Sequence, residues 1–288
     1  MDVHTLTALP DTLLDCLAPA KLNLFLHVVG RRADGYHLLQ TAFRLLDWGD
    51  RLSFVRRSDG RIRRLTDVAG VPEDADLTVR AARLLQAVTG CPLGADIAIN
   101  KRLPMGGGLG GGSSDAATAL MALNHLWGTG LDRTQLQALG LKLGADVPFF
   151  IYGRDAFAEG VGERFQPLEL PDAWYVILFP RVAIPTSEIF SAGELTRDTE
   201  PIRIADFAAS TTRNDLQPVA CKRYPEVAAA IDWLAQYAPA RMTGSGACVF
   251  AQVDGEVDAK RIVQACPARW RAWSARSLPR HPLGELVG

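Results

Sequence analysis

Pro104, Met105, Gly106, Gly107, Gly108, Leu109, Gly110, Gly111, Gly112, Ser113 and Ser114 run straight into Asp115 and an apolar stretch. Glycine gives up more conformational entropy on folding than any other residue. Six glycines within seven positions therefore imply a use for bare backbone. Close approach to an anion is the use that fits. Successive N–H groups in such a turn converge into a concave donor site. A helix starting at Ser113 adds the positive end of its dipole. The tract from Pro104 to Ser114 reads as a cradle for nucleotide phosphates. A flexible linker fits less well, because a linker would not be spliced directly into a helix start.

Three familiar nucleotide motifs are poorer matches. No Gly-Lys pair occurs in the chain, which excludes a Walker loop. Gly106, Gly108 and Gly111 satisfy G-x-G-x-x-G, and Asp132 lies about twenty residues on, as a Rossmann site requires. Against that reading, Lys101–Pro104 separates the preceding strand from the glycines, and that strand carries Asp96 and Asn100. A strand buried on both faces would be apolar. Asp132 also follows a Gly-Thr-Gly turn rather than a second strand. The chain has neither the His-Arg-Asp nor the Asp-Phe-Gly of a protein kinase.

The elements that must position the tract follow from hydrophobic spacing. Residues 21–29 alternate, with Leu22, Leu24, Leu26 and Val28 on one face, and predict a strand. Residues 31–37 read as a turn, followed by strand-like runs at 39–46 and 51–57. Asp76 is expected to cap a helix that stops at Gly90. Residues 95–101 alternate again. Residues 113–127 predict a helix with Ala116, Ala117, Leu120, Leu123 and Leu126 inward. Asp132 with Gln135 resembles a capping box for a helix ending at Gly144. Pro148 suits the first turn of an element opened by Asp146.

Beyond Gly162 the pattern changes. A buried strand is expected over 174–179, helices over 185–193, 205–210 and 225–237, and strands at 241–242 and 247–253. A helix over 257–265 and a strand over 270–275 complete a split βαβ layout. Two α+β domains result, spanning 1–160 and 161–288. The tail from Pro279 to Gly288 is expected to be partly disordered.

Composition bounds the function classes. The chain has 288 residues, with 31 Lys and Arg against 32 Asp and Glu, so nothing global recruits nucleic acid or an anionic membrane. The arginines at 51, 56, 57, 61, 63 and 64 read as a solvated hairpin with charged edges around Ser58-Asp59-Gly60. Five cysteines, odd in number and without metal-ligand spacing, point to buried thiols in a reducing compartment. No apolar run has membrane-spanning length. The first twenty residues carry Asp2, Asp11 and Asp15 but no Lys or Arg, unlike a signal peptide. A cytoplasmic protein, a monomer or weak homodimer, is expected.

Three stretches resemble the motifs of the kinases that phosphorylate galactose, homoserine, mevalonate and related alcohols, the GHMP family. The first is Ala18-Pro19-Ala20-Lys21-Leu22-Asn23-Leu24, the second is the glycine tract, and the third is Thr243-Gly244-Ser245-Gly246-Ala247-Cys248-Val249-Phe250. They appear in order and frame most of the chain. Two further stretches, residues 30–37 and 143–149, resemble a narrower branch that acts on a cytidine diphosphate sugar alcohol in the non-mevalonate route to isoprenoids. The resemblance implies a two-domain α+β fold. Its N-terminal domain would be like the second domain of ribosomal protein S5, and its C-terminal domain ferredoxin-like.

The resemblance also implies roles. ATP would lie on the glycine tract, with Mg²⁺ held by Ser113 or Ser114; Ser114 is the metal candidate, and N-capping is the alternative role for both serines. Asp146 would orient the acceptor hydroxyl and take its proton late, although by itself it reads as an N-cap. Lys21 would partner Asp146 and steady the transferring phosphoryl group. Asn23, on the same strand face, would bind a substrate hydroxyl. Tyr36 and Phe190 would sandwich cytosine, His37 would read it, and Thr186 would line the pocket. The competing functions are another small-molecule kinase of the family, a diphosphomevalonate decarboxylase-like lyase, and an RNA-binding module.

Overall fold

A computed structural model describes residues 11–33, 35–207 and 211–288. Asp34 of the 30–37 stretch and the end of the expected 205–210 helix lie outside these residues. Two long antiparallel strands dominate the first half, β1 (Thr12–Arg31) and β2 (His37–Arg57). They pair from Thr12↔Val55 to Arg31↔His37. The two expected runs at 39–46 and 51–57 are thus one strand. Gly49 permits the continuity: a Cβ there would sit 2.0 Å from the Ala18 carbonyl oxygen.

The remaining elements of this half are β3 (Ile62–Arg64), α1 (Leu77–Thr89), β4 (Gly94–Asn100), α2 (Gly111–Trp127), α3 (Arg133–Leu141) and α4 (Val147–Tyr152), then β5 (Ala156–Glu159) and β6 (Arg164–Pro167). The sheet order is β3-β4-β2-β5-β6, with β1 on β2. Asp76 caps α1 by accepting from the Thr78 N–H at 2.8 Å, and Gly90 closes it in the left-handed region. The Asp132–Gln135 capping box is present, but α3 ends at Leu141, short of Gly144. The core between sheet and helices contains Leu52, Phe54, Ile97, Leu120, Leu123 and Phe150.

The arginine-rich hairpin does not exist. β3 pairs in parallel with β4, which separates it from β2. The local charge pattern suggested a turn between neighbours; the long-range partner decided otherwise. Arg57 bridges Asp59 and Asp96, and Arg64 is buried against Asp76 at 2.8 Å.

The second half contains β7 (Trp174–Phe179), α5 (Thr186–Phe190), α6 (Gln217–Arg223), α7 (Pro225–Leu234), β8 (Ala240–Met242), β9 (Val249–Val253), α8 (Glu256–Gln264) and β10 (Arg271–Arg276). The sheet order is β10-β7-β9-β8, antiparallel throughout. With α5–α7 between the first and second strands and α8 between the third and fourth, this is the split βαβ arrangement. Val176, Leu178, Val227, Leu234, Val249 and Ile262 share its core. The architecture is α+β in two sheets. β5, β6 and α6 were not expected, and the described part of the expected 205–210 helix holds a 3₁₀ turn at Ile204–Asp206.

The tail is ordered, contrary to expectation. His281, Leu283 and Val287 are buried, and the Arg133 guanidinium donates to the Gly284 and Val287 carbonyls at 2.6 and 2.8 Å. Apolar contacts and these bonds offset the entropy of fixing a chain end. All five cysteines are free, with Cys16 and Cys248 buried and the others half-buried. Among the described residues no helix is long and apolar enough to cross a membrane.

Candidate active site

The glycine tract is sewn into the fold through its carbonyls. Lys21 N–H donates to Leu109 at 3.0 Å, Ala247 N–H to Gly106 at 3.2 Å, and Cys248 N–H to Gly107 at 3.1 Å. These bonds join it to β1 and to the loop before β9. Gly108 has φ +75°, and a Cβ there would lie 2.3 Å from the Thr243 carbonyl oxygen. The two glycine loops therefore pack backbone to backbone.

Helix α2 begins at Gly111, with Gly110 as N-cap and no side-chain cap bond. The serines are thus not caps; they occupy the first turn. Ser113 and Asp115 line the adjoining cleft. Ser114 does not line it: it is fully buried, and its Oγ has no hydrogen-bond partner.

That cleft has a volume of about 1040 Å³. It is lined by Pro104 to Ser113 and by Lys21, Asn23, Tyr36, His37, Asp146, Thr186 and Phe190. Apart from Ser114, every candidate residue named from the sequence borders this one space.

At its floor, Lys21 Nζ lies 3.4 Å from Asp146 Oδ2. Lys21 Nζ also donates to Asn23 Oδ1 and sits 5.3 Å from the centre of the Phe43 ring. Asn23 Nδ2 donates to Thr41 Oγ1 at 2.9 Å, so both ends of this amide are engaged. Asp146 stands at the N-cap position of α4, yet its side chain makes no cap bond. Pro148 in the first turn has no N–H to satisfy, and the Asp146 carboxylate remains turned to Lys21. A buried cation against a carboxylate open to the cleft can bind and stabilise a transferring anion while accepting a proton beside it.

The other end of the cleft is aromatic. Tyr36 is 64% exposed, and His37 and Phe190 are in contact with ring centroids 5.0 Å apart. Arg197 Nε donates to His37 Nε2 at 3.1 Å. Burial, followed by the nearby Arg197 and Arg31 charges, holds the His37 imidazole below its ordinary pKa. Thr186 Oγ1 and Ser245 Oγ share a hydrogen bond of 2.8 Å, tying α5 to the loop Gly244–Gly246.

Several participants had no signal in the sequence. Lys101 and Asp115 line the cleft, and Lys101 Nζ bonds both Asp115, at 2.8 Å, and Asp50. Asp50 is fully buried and accepts from the Arg102 and Leu103 N–H groups at 2.6 and 2.8 Å, anchoring the chain just before the glycine tract. Burial pushes the Asp115 carboxyl up, against the pull of Lys101. Asn214 donates to the Met242 and Gly244 carbonyls at 2.9 and 2.8 Å and fixes the second glycine loop. Each joins segments distant in sequence, so no local motif marks it.

Comparison with known proteins fits this geometry. Residues 76–154 match the GHMP kinases N terminal domain, and residues 194–272 match the GHMP kinases C terminal domain. A 4-diphosphocytidyl-2-C-methyl-D-erythritol kinase from Aromatoleum aromaticum is 72% identical over 288 residues, covering all of both chains. Its namesake from an Azoarcus species is 76% identical over 275 residues, covering 96% of this chain and 98% of its own. A crystal structure of 4-(cytidine 5'-diphospho)-2C-methyl-D-erythritol kinase superposes with a TM-score of 0.78 at 35% identity, covering 92% of this chain and 99% of that one. Homoserine kinase from Cytophaga hutchinsonii shares the fold, with a TM-score of 0.72 at 16% identity over 97% and 98% of the two chains.

Proposed function

The chain belongs to the GHMP kinases, and from that premise we propose that it transfers the terminal phosphoryl group of ATP to the 2-hydroxyl of 4-diphosphocytidyl-2-C-methyl-D-erythritol. This is the compound for which its full-length relatives are named. The reaction belongs to the non-mevalonate route to isoprenoid precursors. The observation that carries the reading is the Lys21–Asp146 pair, in a cleft that the glycine tract and the Tyr36, His37 and Phe190 group both line.

Phosphoryl transfer needs an in-line hydroxyl, neutralised phosphate charge and a group that positions the nucleophile. The N–H groups of the glycine tract and the start of α2 bind the triphosphate. Asp146 orients the acceptor hydroxyl and takes its proton as charge moves to phosphorus. Lys21 stabilises the charge on the transferring group. Asn23 holds Lys21 through Oδ1, and its amide N–H groups serve Thr41 and a substrate hydroxyl. Tyr36 and Phe190 stack the base, His37 reads its edge, and Thr186 fastens the loop beside it.

Helix-terminus effects reach at most about 2 kcal/mol, too little for a triphosphate alone. Mg²⁺ fits the donors present. Among the described residues no three His, Cys, Asp or Glu groups form a cage, and Mg²⁺ takes most of its ligands from phosphates and water. Ser113 is the hydroxyl open to it, in place of Ser114, and when bound the ion would neutralise phosphate charge. We propose that the domain boundary expected after residue 160 lies instead at residues 168–173, since β6 pairs with β5 in the first sheet. A cytoplasmic monomer or weak homodimer fits this role.

The test is direct. Protein incubated with ATP, Mg²⁺ and the cytidylyl methylerythritol compound should release ADP in step with substrate. A folded sample that released none, and instead bound RNA or decarboxylated diphosphomevalonate, would overturn the assignment.

A further inference from the structure

We propose that Arg197 fixes the tautomer of His37 and thereby makes the aromatic slot select cytosine over uracil. This rests on the cytidine reading above and gives it a mechanism. Arg197 Nε donates to His37 Nε2 at 3.1 Å. A guanidinium has donors only, so the nitrogen that receives it is the unprotonated one. A neutral imidazole then carries its proton on Nδ1. Doubly protonating the ring would set an N–H on Nε2 against the Arg197 N–H.

Arg197 is itself held rigidly. Nη1 donates to the Leu195 carbonyl at 3.0 Å, and Nη2 donates to the Phe190 and Ala192 carbonyls at 3.1 and 2.6 Å. One guanidinium thus ties the histidine ring to the backbone of the stacking Phe190. Arg197 does not line the cleft, so it acts as a positioning residue through His37.

The consequence for base recognition is chemical. Stacking on an aromatic does not separate the pyrimidines, because every base has a π-face. Their edges do. N3 of cytosine is an acceptor, and N3 of uracil carries a hydrogen. A donor at His37 Nδ1 pairs with the first and opposes the second. The opposite tautomer would reverse the preference. A mispaired donor in a sheltered site weakens binding by roughly tenfold or more.

Nitrogen-15 NMR of the full chain, with His37→Gln assigning the signal, reads the tautomer; the expected result is a proton on Nδ1 and none on Nε2. CDP and UDP are then compared as competitive inhibitors. CDP should bind wild type at least roughly tenfold tighter than UDP. Arg197→Gln should bring that ratio near one while leaving kcat and the KM for ATP within about twofold. A proton on Nε2 in wild type, or an undiminished CDP preference in Arg197→Gln, would overturn the inference. If Arg197→Gln fails to fold, the wild-type tautomer and the wild-type CDP to UDP ratio decide it. Correct tautomer with no base preference would sink this inference and leave the kinase reading standing. Absence of both cytidine binding and ADP release would sink the kinase reading itself.

Discussion

Lys21 and Asp146 form an ion pair whose two members differ sharply in exposure. Their charged atoms are 3.4 Å apart, with the lysine side chain 3% exposed and the aspartate 36%. Asn23 and the Phe43 ring hold the lysine, whereas the aspartate opens to the cleft. An arriving hydroxyl can therefore engage Asp146 without displacing Lys21. The contacts of Lys21 with Asn23 and the Phe43 ring fix its orientation toward Asp146, the kind of positioning that lowers the entropic cost of reaction.

Asp146→Asn should retain this geometry and lose the proton acceptor. Turnover is expected to fall at least about a hundredfold with the KM for ATP little changed. Steady-state kinetics with both substrates varied would check it. Near-normal turnover would remove Asp146 from the mechanism.

The glycines of the tract serve two different needs, and substitution should separate them. A Cβ on Gly108 would meet the Thr243 carbonyl oxygen at 2.3 Å, with φ at +75°. Gly108→Ala should therefore lose about 1–3 kcal/mol of stability, with or without nucleotide. A Cβ on Gly112 would meet nothing closer than Leu77 Cδ1 at 3.4 Å. Gly112→Ala should stay within about 0.5 kcal/mol of wild type, and any defect should appear in the KM for ATP. Thermal melts and nucleotide kinetics on the two variants would check this; equal stability losses would refute the separation.

The same contrast explains what was legible in the sequence. The glycine tract could be named because its residue types and spacing are improbable without a use; Lys21, Asn23 and Asp146 could be named only through the resemblance, since by itself Asp146 reads as an N-cap. The continuity of β2 could not, because Asp47-Trp48-Gly49-Asp50 reads as a turn. Asp50 is instead buried in the strand, satisfied by Lys101 and by two N–H groups distant in sequence. Arg197 was invisible for a related reason: its importance lies in a bond to His37 across the fold. Ser114 was named from its motif, but one position along a helix decides whether a hydroxyl faces the cleft or the core.

Tyr36 stands 64% exposed at the aromatic end of the cleft, in the loop that leads into β2. A large exposed ring on a loop contributes little to folding and is available to a ligand. Tyr36→Ala should leave stability nearly unchanged and cost about 1–3 kcal/mol of affinity for the cytidine substrate. The KM for ATP should not move. Calorimetric titration with CDP and with an ATP analogue would check it; equal weakening of both would mean the two pockets are exchanged.

The buried tail makes a prediction about acid. His281 Nδ1 accepts the Leu283 N–H at 3.1 Å, and Nε2 faces Thr118 Oγ1 at 3.4 Å. Protonating Nδ1 would set donor against donor. Burial, followed by the nearby Arg133 charge, pushes this imidazole down to about 3. The unfolded chain binds a proton below about 6.5, the folded chain only near 3, so the contribution is complete above pH 6.5 and is lost as the pH falls between those values. The slope from one such proton is about 1.4 kcal/mol per pH unit. Asp155, raised to about 6 chiefly by burial, works in the opposite direction, because its folded form keeps a proton that the unfolded form has released. The raw pH profile therefore mixes both, and a variant is needed to separate them. His281→Asn should be less stable than wild type at pH 7.5, and the gap should close at roughly 1 kcal/mol per pH unit from pH 6.5 to 5. Urea denaturation across that range would measure it. A gap that stayed constant with pH would mean that His281 titrates alike in the folded and unfolded chains.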